Sequence, residues 1–400
     1  MKVLILCGVF EDAMEASVIR QAKRAVEFSA NLMQKKIIRA FQTISDDVSV
    51  LSAPFLGAYP TASTTKRFSG FDGGNEGYTY VPFNNVWGIR NLSRTRSLKR
   101  ALRPFLAQEG EKLILAYCPH TPFVKAAAYA KRLDPLVRTC LYVPDLPQYM
   151  NLSAKVSPIY KFAKFFDIRS MTKAMRFIDS FVLLTEEMKH CLPVGDKPYL
   201  VSEGLITEDA LKEAKARLLS KEPTDGKEKT VVYTGKLDCR FGIPALLEAM
   251  RSIDEPECRL VLCGTGDAMH LALAAAKEDA RIRVLGQVPP SEAAALQKNA
   301  AVLVNPRGSS EEYTKYSFPS KNLEYLLSGA AVVAHRLSGM PEIYDRFLFA
   351  PKGDSPEALA EAIRAALGSS REEREQTYRA FLAYAEEHLL ATQVANAILR

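Results

Sequence analysis

The sequence predicts an α/β protein built from two similar domains with parallel sheets. Short apolar runs rich in β-branched residues alternate with helical patterns along the whole chain, which is typical of βαβ units with parallel strands. The length of 400 residues also exceeds what a single hydrophobic core usually organises. Residues 1–200 contain 28 Lys and Arg against 17 Asp and Glu, whereas residues 201–400 contain 25 against 29. Because the two halves have net charges of opposite sign, they suggest two domains with different partners. Ordinary variation in surface charge would give the same difference.

Short apolar segments bounded by turn residues are the strand candidates. Those of the first half are Val3–Cys7, Val48–Leu51, Tyr78–Val81, Lys112–Tyr117, Thr139–Val143 and Ser180–Leu184. Those of the second half are Thr230–Tyr233, Arg259–Cys263, Ile282–Leu285, Ala301–Asn305 and Ala331–His335.

A polar, turn-rich segment at 221–229 separates the two halves. We therefore predict an N-terminal domain over 1–205, a linker region over 206–229 and a C-terminal domain over 230–370. One long helix follows over about 371–400, and packing of this helix back on the first domain would suit its polar and apolar faces.

Composition argues against several classes of protein. No apolar run is long enough to span a membrane, and acidic residues soon follow the short apolar N-terminus, which favours a buried first strand over a signal peptide. The seven cysteines form no CxxC pair, the five histidines are scattered, and no D-x-D occurs. We therefore expect a cytoplasmic protein without a metal site.

The first motif of the second half is a turn that carries two cations. Gly235 permits a tight turn after the strand, and Lys236 and Arg240 follow it beside a predicted helix N-terminus. This combination suits a diphosphate group. Two solvated surface cations on a turn would look the same.

Two weaker motifs follow further along the chain. Gly264 and Gly266 form a GxG at a strand end, which indicates a close backbone approach to a ligand or to a neighbouring element. Val288 lies in the turn after the next strand, where backbone groups are placed to contact a nucleotide base. Ordinary connecting turns account for both motifs equally well.

The sharpest motif covers 316–329. Pro319 suits the start of a helix and Gly329 suits its end. The helix N-terminus at Ser320 and Lys321 favours phosphate, and Glu324, one turn further, is placed to accept hydrogen bonds from ribose hydroxyls. As an ordinary surface pair, Lys321 and Glu324 would add only a few tenths of a kcal/mol to helix stability.

Together, and in this order, the four motifs resemble the donor domain of retaining GT-B glycosyltransferases, the large group 1 or family 4. The resemblance covers 230–370 well and the N-terminal half more loosely, mainly at 118–123, 143–151 and 183–189. It implies the GT-B fold, an α/β fold with two facing Rossmann-like domains and a cleft between them. The sequence of 316–324 resembles that of the bacterial exopolysaccharide and capsule glycosyltransferases within this family.

The resemblance implies a role for each motif residue. Glu324 matches the second Glu of the family's E-x7-E motif and would hold the donor ribose. Lys236 stands where the family usually has a diphosphate-binding Arg, and Arg240 would replace the family's Lys, whose position holds Phe241. Tyr316 replaces the first Glu of E-x7-E, which leaves the donor sugar and full activity open. The other donor-binding candidates are Gly264, Gly266, Val288, Ser320 and Lys321.

The resemblance also implies the catalytic chemistry. His120 matches a family histidine that lies over the transferred sugar, although a histidine in a turn before Pro122 needs no such role. Transfer would retain the anomeric configuration without a metal or other cofactor, with a UDP- or GDP-sugar as substrate. Lys236, Arg240 and the helix N-terminus would stabilise the leaving diphosphate, and domain closure would exclude water.

The densest basic segment of the first half lies at 90–103. Its leucines are spaced for one helix face and its cations lie largely elsewhere, so the segment suits an anionic membrane surface or a lipid-diphosphate-linked acceptor. An ordinary amphipathic helix packed on the sheet is the alternative. The candidate acceptor or membrane residues are Arg94, Arg96, Lys99 and Arg100.

These observations predict a glycosyltransferase that uses a nucleotide-sugar donor and a glycan or lipid-linked acceptor in bacterial surface polysaccharide synthesis, located in the cytoplasm or peripherally on the inner face of the membrane. Tyr316 and Phe241 keep open a degenerate GT-B subunit that binds only nucleotide or a partner enzyme. Nucleic-acid binding lacks any RNP, zinc or helix-turn-helix pattern. A dehydrogenase lacks GxGxxG after the first strand.

Overall fold

The computed structural model describes residues 1–23, 26, 28–74, 77–149, 158–220 and 229–400. It divides into two compact units. Unit 1 comprises 1–207 and 390–400, and unit 2 comprises 208–389. Of the region that the sequence assigns to a linker, 208–220 is helical, and 221–228 lies outside the described residues.

Unit 1 is organised around a mostly parallel sheet that contains eight strands among its described residues, in the order β10-β9-β8-β7-β1-β2-β5-β4. Only β4 runs antiparallel to its neighbour in this sheet, and β3 and β6 form a separate antiparallel pair. The strands are β1 (Lys2–Cys7), β2 (Val48–Ser52), β3 (Arg67–Phe68), β4 (Phe71–Asp72), β5 (Tyr78–Tyr80), β6 (Phe83–Asn84), β7 (Lys112–Tyr117), β8 (Arg138–Val143), β9 (Ser180–Leu183) and β10 (Tyr199–Val201).

Unit 2 contains a fully parallel sheet, with five strands among its described residues in the order β13-β12-β11-β14-β15. The strands are β11 (Thr230–Thr234), β12 (Arg259–Cys263), β13 (Ile282–Gly286), β14 (Val302–Asn305) and β15 (Ala331–Ala334). The order reverses between β11 and β14 in unit 2 and between β1 and β7 in unit 1. Ligands of open α/β sheets bind at the carboxyl ends of the strands at such points.

Helices connect the strands and cover the sheets, because strands such as β1, β7 and β8 are apolar on both faces. The α-helices of the described residues are α1 (Asp12–Gln21), α2 (Phe28–Ile44), α3 (Arg90–Ala101), α4 (Arg103–Leu106), α5 (Thr121–Leu133), α6 (Pro158–Met175), α7 (Glu208–Ser220), α8 (Ile243–Arg251), α9 (Met269–Glu278), α10 (Pro290–Asn299), α11 (Ser320–Ser328), α12 (Pro356–Gly368), α13 (Arg371–His388) and α14 (Ala391–Leu399).

Every strand predicted from the sequence is present, with its ends shifted by at most one residue. The prediction of one long C-terminal helix is wrong. The helix breaks at Leu390, whose backbone is extended and forms a bridge with Ile206. Consequently α13 packs in unit 2, where the Tyr378 hydroxyl donates to the carbonyl of Ala214 at 3.1 Å, whereas α14 packs on α2 in unit 1.

Candidate functional site

The turns that follow β11 and β12 pack tightly against each other at the carboxyl edge of the unit 2 sheet. A Cβ placed on Gly264 would lie 1.7 Å from the carbonyl oxygen of Gly235, and one on Gly266 would lie 2.0 Å from that of Leu237. Both contacts are far shorter than van der Waals distance. The close approach that the GxG motif indicates is therefore an approach to a neighbouring turn, which shapes the edge of the sheet.

Asp238 holds the two cations of the first motif. Its carboxylate is 2% exposed, accepts from Arg240 Nε at 3.1 Å and Nη2 at 3.0 Å, and lies 3.2 Å from Lys236 Nζ. The hydrogen bond from the Arg240 side chain, helped by the Lys236 ammonium, keeps the pKa of Asp238 well below its usual range despite burial. The carboxylate therefore stays charged and orients both cations, while their side chains remain more than half exposed for a ligand.

A further cation, Arg307, comes from the turn after β14. Its guanidinium lies 5.7 Å from the ring centre of Phe241 and 4.7 Å from that of Tyr313. The turn after β14 packs directly against Gly242, because a Cβ on this glycine would lie 1.9 Å from the carbonyl oxygen of Pro306. Gly242 also has a left-handed backbone, with φ 81°. A cation thus stands beside Phe241. The only sequence signal for it is its position directly after a strand.

The N-terminus of α11 meets the same turn. Pro319 precedes Ser320 and supplies no side-chain cap, which leaves the first turn open to a ligand. The Lys321 ammonium lies over Gly235, since a Cβ on that glycine would be 2.8 Å from Nζ. Burial lowers the pKa of Lys321, and the charge of Glu324 opposes the shift. The Glu324 side chain itself is exposed in the second turn.

A buried hydrogen-bond network ties α11 to the end of β11. The Tyr325 hydroxyl accepts from the Thr234 backbone N–H at 2.9 Å, and Gln297 Nε2 donates to Thr234 Oγ1 at 2.8 Å. Burial raises the pKa of Tyr325, so its hydroxyl keeps its proton. This network fixes the helix that carries Lys321, and neither Thr234 nor Gln297 stands out in the sequence.

The structure thus brings Lys236, Arg240, Arg307 and Lys321 to the carboxyl edge of unit 2, at the point where its strand order reverses; we call these four residues the unit 2 cation site. The remaining candidates lie around it. Val288 is half-buried after β13, with its backbone beside the Cys263 thiol, and Tyr316 is half-buried before α11. The exposed residues Ser320 and Glu324 lie on α11.

Unit 1 contains a cavity of about 440 Å³ at the carboxyl ends of β7 and β8, which we call the unit 1 pocket. Charged or polar residues and aromatic rings both contribute to its wall. They include Phe55, Arg90, Arg94, Tyr117, Cys118, His120 and Asp145.

His120 precedes α5 and reaches this pocket. Its ring contacts Phe55 and Phe123, with centroids 5.5 and 4.9 Å away. Burial, together with the nearby charges of Arg94 and Arg90, lowers the pKa of His120 well below its usual value. The imidazole is therefore neutral at pH 7, and its buried Nδ1 has no hydrogen-bond partner among the described residues.

This environment predicts a pH effect on stability. The unfolded chain binds a proton at His120 below about pH 6.5 whereas the folded protein does not, so the free energy of unfolding falls as the pH drops, by up to about 1.4 kcal/mol per pH unit. His120→Asn should flatten this loss between pH 6.5 and 5 in urea unfolding curves. The exposed His270→Asn is the control, and equal pH profiles for the two variants would contradict the assignment.

The cations of α3 do not share one surface. Arg94 is 1% exposed, and its guanidinium lies 4.2 Å from the ring centre of Phe83. Arg96 and Arg100 are exposed, and Lys99 is partly covered by Tyr129. Arg94 is therefore not part of a membrane-facing surface, because its position on the helix turns it inward.

The described residues hold neither a candidate metal cluster nor a candidate membrane span. They contain no group of three or more His, Cys, Asp or Glu side chains placed to hold a metal ion. They also contain no helix long and apolar enough to cross a lipid bilayer.

Comparison with known proteins found a family model, curated relatives and solved structures that resemble this chain. Residues 228–369 match the model of the glycosyl transferases group 1. A stretch of 133 residues is 32% identical to a phosphatidyl-myo-inositol mannosyltransferase of Mycobacterium tuberculosis, and it covers 32% of this chain and 33% of the relative. The chain thus matches about a third of the length of this curated relative.

The fold is shared over the whole chain. The Anabaena Alr3699/HepE structure in complex with UDP superposes with a TM-score of 0.62 at 13% identity, over 100% of this chain and 98% of that one. WaaG, a glycosyltransferase involved in lipopolysaccharide biosynthesis, superposes with a TM-score of 0.61 at 14% identity, over 99% of both chains. Residues 228–369 are therefore similar to the group 1 glycosyl transferases, and the chain has the GT-B fold.

Proposed function

We propose that this protein transfers a sugar from a UDP- or GDP-linked donor to a glycan or lipid-linked acceptor, with unit 2 binding the donor and unit 1 the acceptor. The observation that carries the proposal is the unit 2 cation site at the reversal of strand order, where α/β sheets bind nucleotides. The family match of 228–369 supports it. The UDP complex of HepE and the mannosyltransferase relative support the donor class.

The cation site suits the charge that develops during transfer. When the glycosidic bond to the donor phosphate breaks, the departing diphosphate gains negative charge. The Lys321 ammonium lies against Gly235, and Lys236 is the next residue after that glycine in the chain. Lys321 belongs to the first turn of α11, which has no side-chain cap. Because Asp238 already orients Lys236 and Arg240, these charges need no reorganisation as the bond breaks.

We further propose that transfer retains the anomeric configuration and requires no divalent metal. Side-chain cations and a helix N-terminus can supply the charge stabilisation for which other transferases use a metal ion. Glu324, exposed in the second turn of α11, would accept hydrogen bonds from the donor ribose. Retention follows from the family resemblance and is tested by the anomeric proton signals of the product.

The test of the proposal measures nucleotide release and donor affinity. Purified protein is incubated with a panel of UDP- and GDP-sugars, with and without EDTA, and release of UDP or GDP is followed. Glu324→Gln should weaken donor binding about 10-fold, since charged hydrogen bonds contribute about 1.5–3 kcal/mol. Glu361→Gln, an exposed glutamate of α12, is the control. Donor affinity equal in both variants and the unmodified protein would refute the ribose role of Glu324.

A second candidate function is a GT-B subunit that binds nucleotide without transferring sugar. Tyr316 and Phe241 favour it, because they replace family residues that contact the donor. Arg307 beside Phe241 supplies a substitute cation, which is why we place transfer first. Nucleotide binding without release of UDP or GDP from any donor of the panel, with or without candidate acceptors, would favour the second function.

We also propose that unit 1 contacts an anionic membrane surface, as a role in surface polysaccharide synthesis would require. Leu92 and Trp87 are exposed by 51% and 48%, and Arg96 and Arg100 are exposed on the same helix as Leu92. Apolar side chains beside cations are typical of interfacial helices. These four residues form what we call the α3 surface.

Vesicle binding tests the α3 surface. The protein should co-sediment with vesicles of phosphatidylcholine and phosphatidylglycerol at low salt and be released at high salt. Arg96→Glu combined with Arg100→Glu should weaken partitioning by at least about 10-fold, because each cation contributes about 1 kcal/mol. The same reversals at Lys277 and Lys352, both exposed in unit 2, should change partitioning little. Equal loss in both double variants, or no sedimentation at low salt, would refute this surface.

A further inference from the structure

The unit 1 pocket contains two arginines that face the same space. Arg90 and Arg94 lie four residues apart on α3, so their side chains share one face of the helix, and both line the cavity. The Arg94 side chain is almost completely buried. Two like charges placed together inside a protein are costly unless an opposite charge accompanies them.

Among the described residues, both guanidinium groups donate hydrogen bonds to backbone carbonyls, and the charge of Asp167 favours the charged form of Arg90. Arg94 Nη2 donates to the carbonyl of Pro54 at 2.7 Å, and its buried Nε has no partner there. Arg90 Nη1 donates to the carbonyl of Leu56 at 3.3 Å. Burial and the charge of Arg90 lower the pKa of Arg94, and no carboxylate opposes them. Arg90, which is half-buried and lines the cavity, thus keeps N–H donors beyond the one that bonds Leu56.

The rest of the wall fits a ligand of sugar size. A volume of about 440 Å³ lies within the range of small-molecule sites. His120, neutral and with Nδ1 unpartnered among the described residues, faces the same cavity. Cys118 has a left-handed backbone, with φ 61°, directly after β7. Strained backbone of this kind clusters at ligand sites.

We propose that the acceptor of this enzyme carries an oxyanion, a phosphate or a carboxylate, which Arg90 and Arg94 bind inside the unit 1 pocket. The inference rests on the proposed function, since it specifies the acceptor that unit 1 would take. Guanidinium groups match both oxyanions through paired hydrogen bonds. An uncharged sugar would leave the buried Arg94 guanidinium, which donates only to a backbone carbonyl among the described residues, without an anionic partner and is therefore a poor ligand for this pocket.

Calorimetry on the 400-residue protein without donor tests the inference. The probes are glucose 6-phosphate for a soluble phosphate ester, geranyl diphosphate for a lipid-linked phosphate, glucuronate for a carboxylate, and glucose as the uncharged reference. At least one anionic probe should bind 10-fold or more tightly than glucose, and the tightest identifies the source of the oxyanion.

Variants locate the binding site and separate the two proposals. Arg90→Gln should weaken binding of that probe at least 10-fold and leave UDP binding unchanged, whereas Lys321→Met should do the reverse. Arg94→Gln should repeat the effect of Arg90→Gln if it folds, and Arg103→Gln, an exposed cation of α4, should have no effect.

Each outcome decides one proposal. If no anionic probe binds better than glucose, or if Arg90→Gln binds the probe as the unmodified protein does, the oxyanion inference is overturned. The proposed function then still stands, provided that UDP binds and Lys321→Met weakens it. If UDP and GDP do not bind at all, the proposed function fails, whatever the anionic probes do.

Discussion

Replacing Lys321 by methionine is expected to lower the rate of sugar transfer about 100- to 1000-fold, the effect usual for removal of one preorganised charge-stabilising donor. The Lys321 ammonium lies over Gly235 at the centre of the unit 2 cation site, and burial lowers its pKa. A desolvated cation interacts with a departing diphosphate more strongly than an exposed one. The measurement is kcat for release of UDP or GDP from the preferred donor.

The same variant separates a functional from a structural role. Methionine fills a similar volume, and removing a partly desolvated charge should leave the free energy of unfolding equal or higher. Lys277→Met, an exposed lysine of α9, should keep kcat and stability close to those of the unmodified protein. Loss of stability in parallel with kcat, or full activity of Lys321→Met, would be inconsistent with a charge-stabilising role.

Replacing Gly264 by alanine is expected to destabilise unit 2 by several kcal/mol and to abolish donor binding. The added methyl group would lie 1.7 Å from the Gly235 carbonyl oxygen, and φ at Gly264 is 138°. Clash and backbone strain therefore add up, and the turn carrying Lys236 must move. Urea unfolding and calorimetry with UDP measure the two effects.

Gly353→Ala is the matched control for this substitution. Gly353 lies in the same unit with φ 130°, but a Cβ there meets nothing within 4 Å. It reports the cost of strain alone, which is about 1–3 kcal/mol. Equal destabilisation of the two variants would show that packing between the turns after β11 and β12 does not hold the site.

Regular features of the fold could be predicted because they follow from local patterns. Each strand candidate combines β-branched residues with a bounding turn, and strands buried on both faces need continuous apolar runs. The start of α11 at Ser320 and its end before Gly329 followed from helix-boundary chemistry. The break at Leu390 could not be predicted, because a pairing with the distant Ile206 causes it.

The site was predictable only where its residues lie in short motifs. Lys236, Arg240 and Lys321 stand in such motifs, and the structure brings them to one edge of unit 2. The sequence alone does not single out Asp238, although it lies between the first two, because the burial that makes it their common partner is a property of the folded turn. Arg307 belongs to no motif. It lies at the site because β14, the strand before it, is the neighbour of β11 in the sheet.

The basic character of the first half needed the structure for its interpretation. From the sequence, the cations of α3 formed one amphipathic pattern, in which Arg94 and Arg96 were equivalent. The helix instead divides them, since Arg94 lines the unit 1 pocket while Arg96 is exposed. Helical periodicity sets which residues share a face but does not say which polar face is covered by the rest of the protein.

As proposed above, the unit 2 cation site recognises the diphosphate of a nucleotide-sugar donor. Calorimetry with a nucleoside, its monophosphate and its diphosphate, for uridine and guanosine, tests it most directly. We expect affinity to rise at least 10-fold from the monophosphate to the diphosphate for one of the two bases, and Lys321→Met to remove most of this gain. Equal affinities for monophosphate and diphosphate, or a gain that survives in Lys321→Met, would contradict the account.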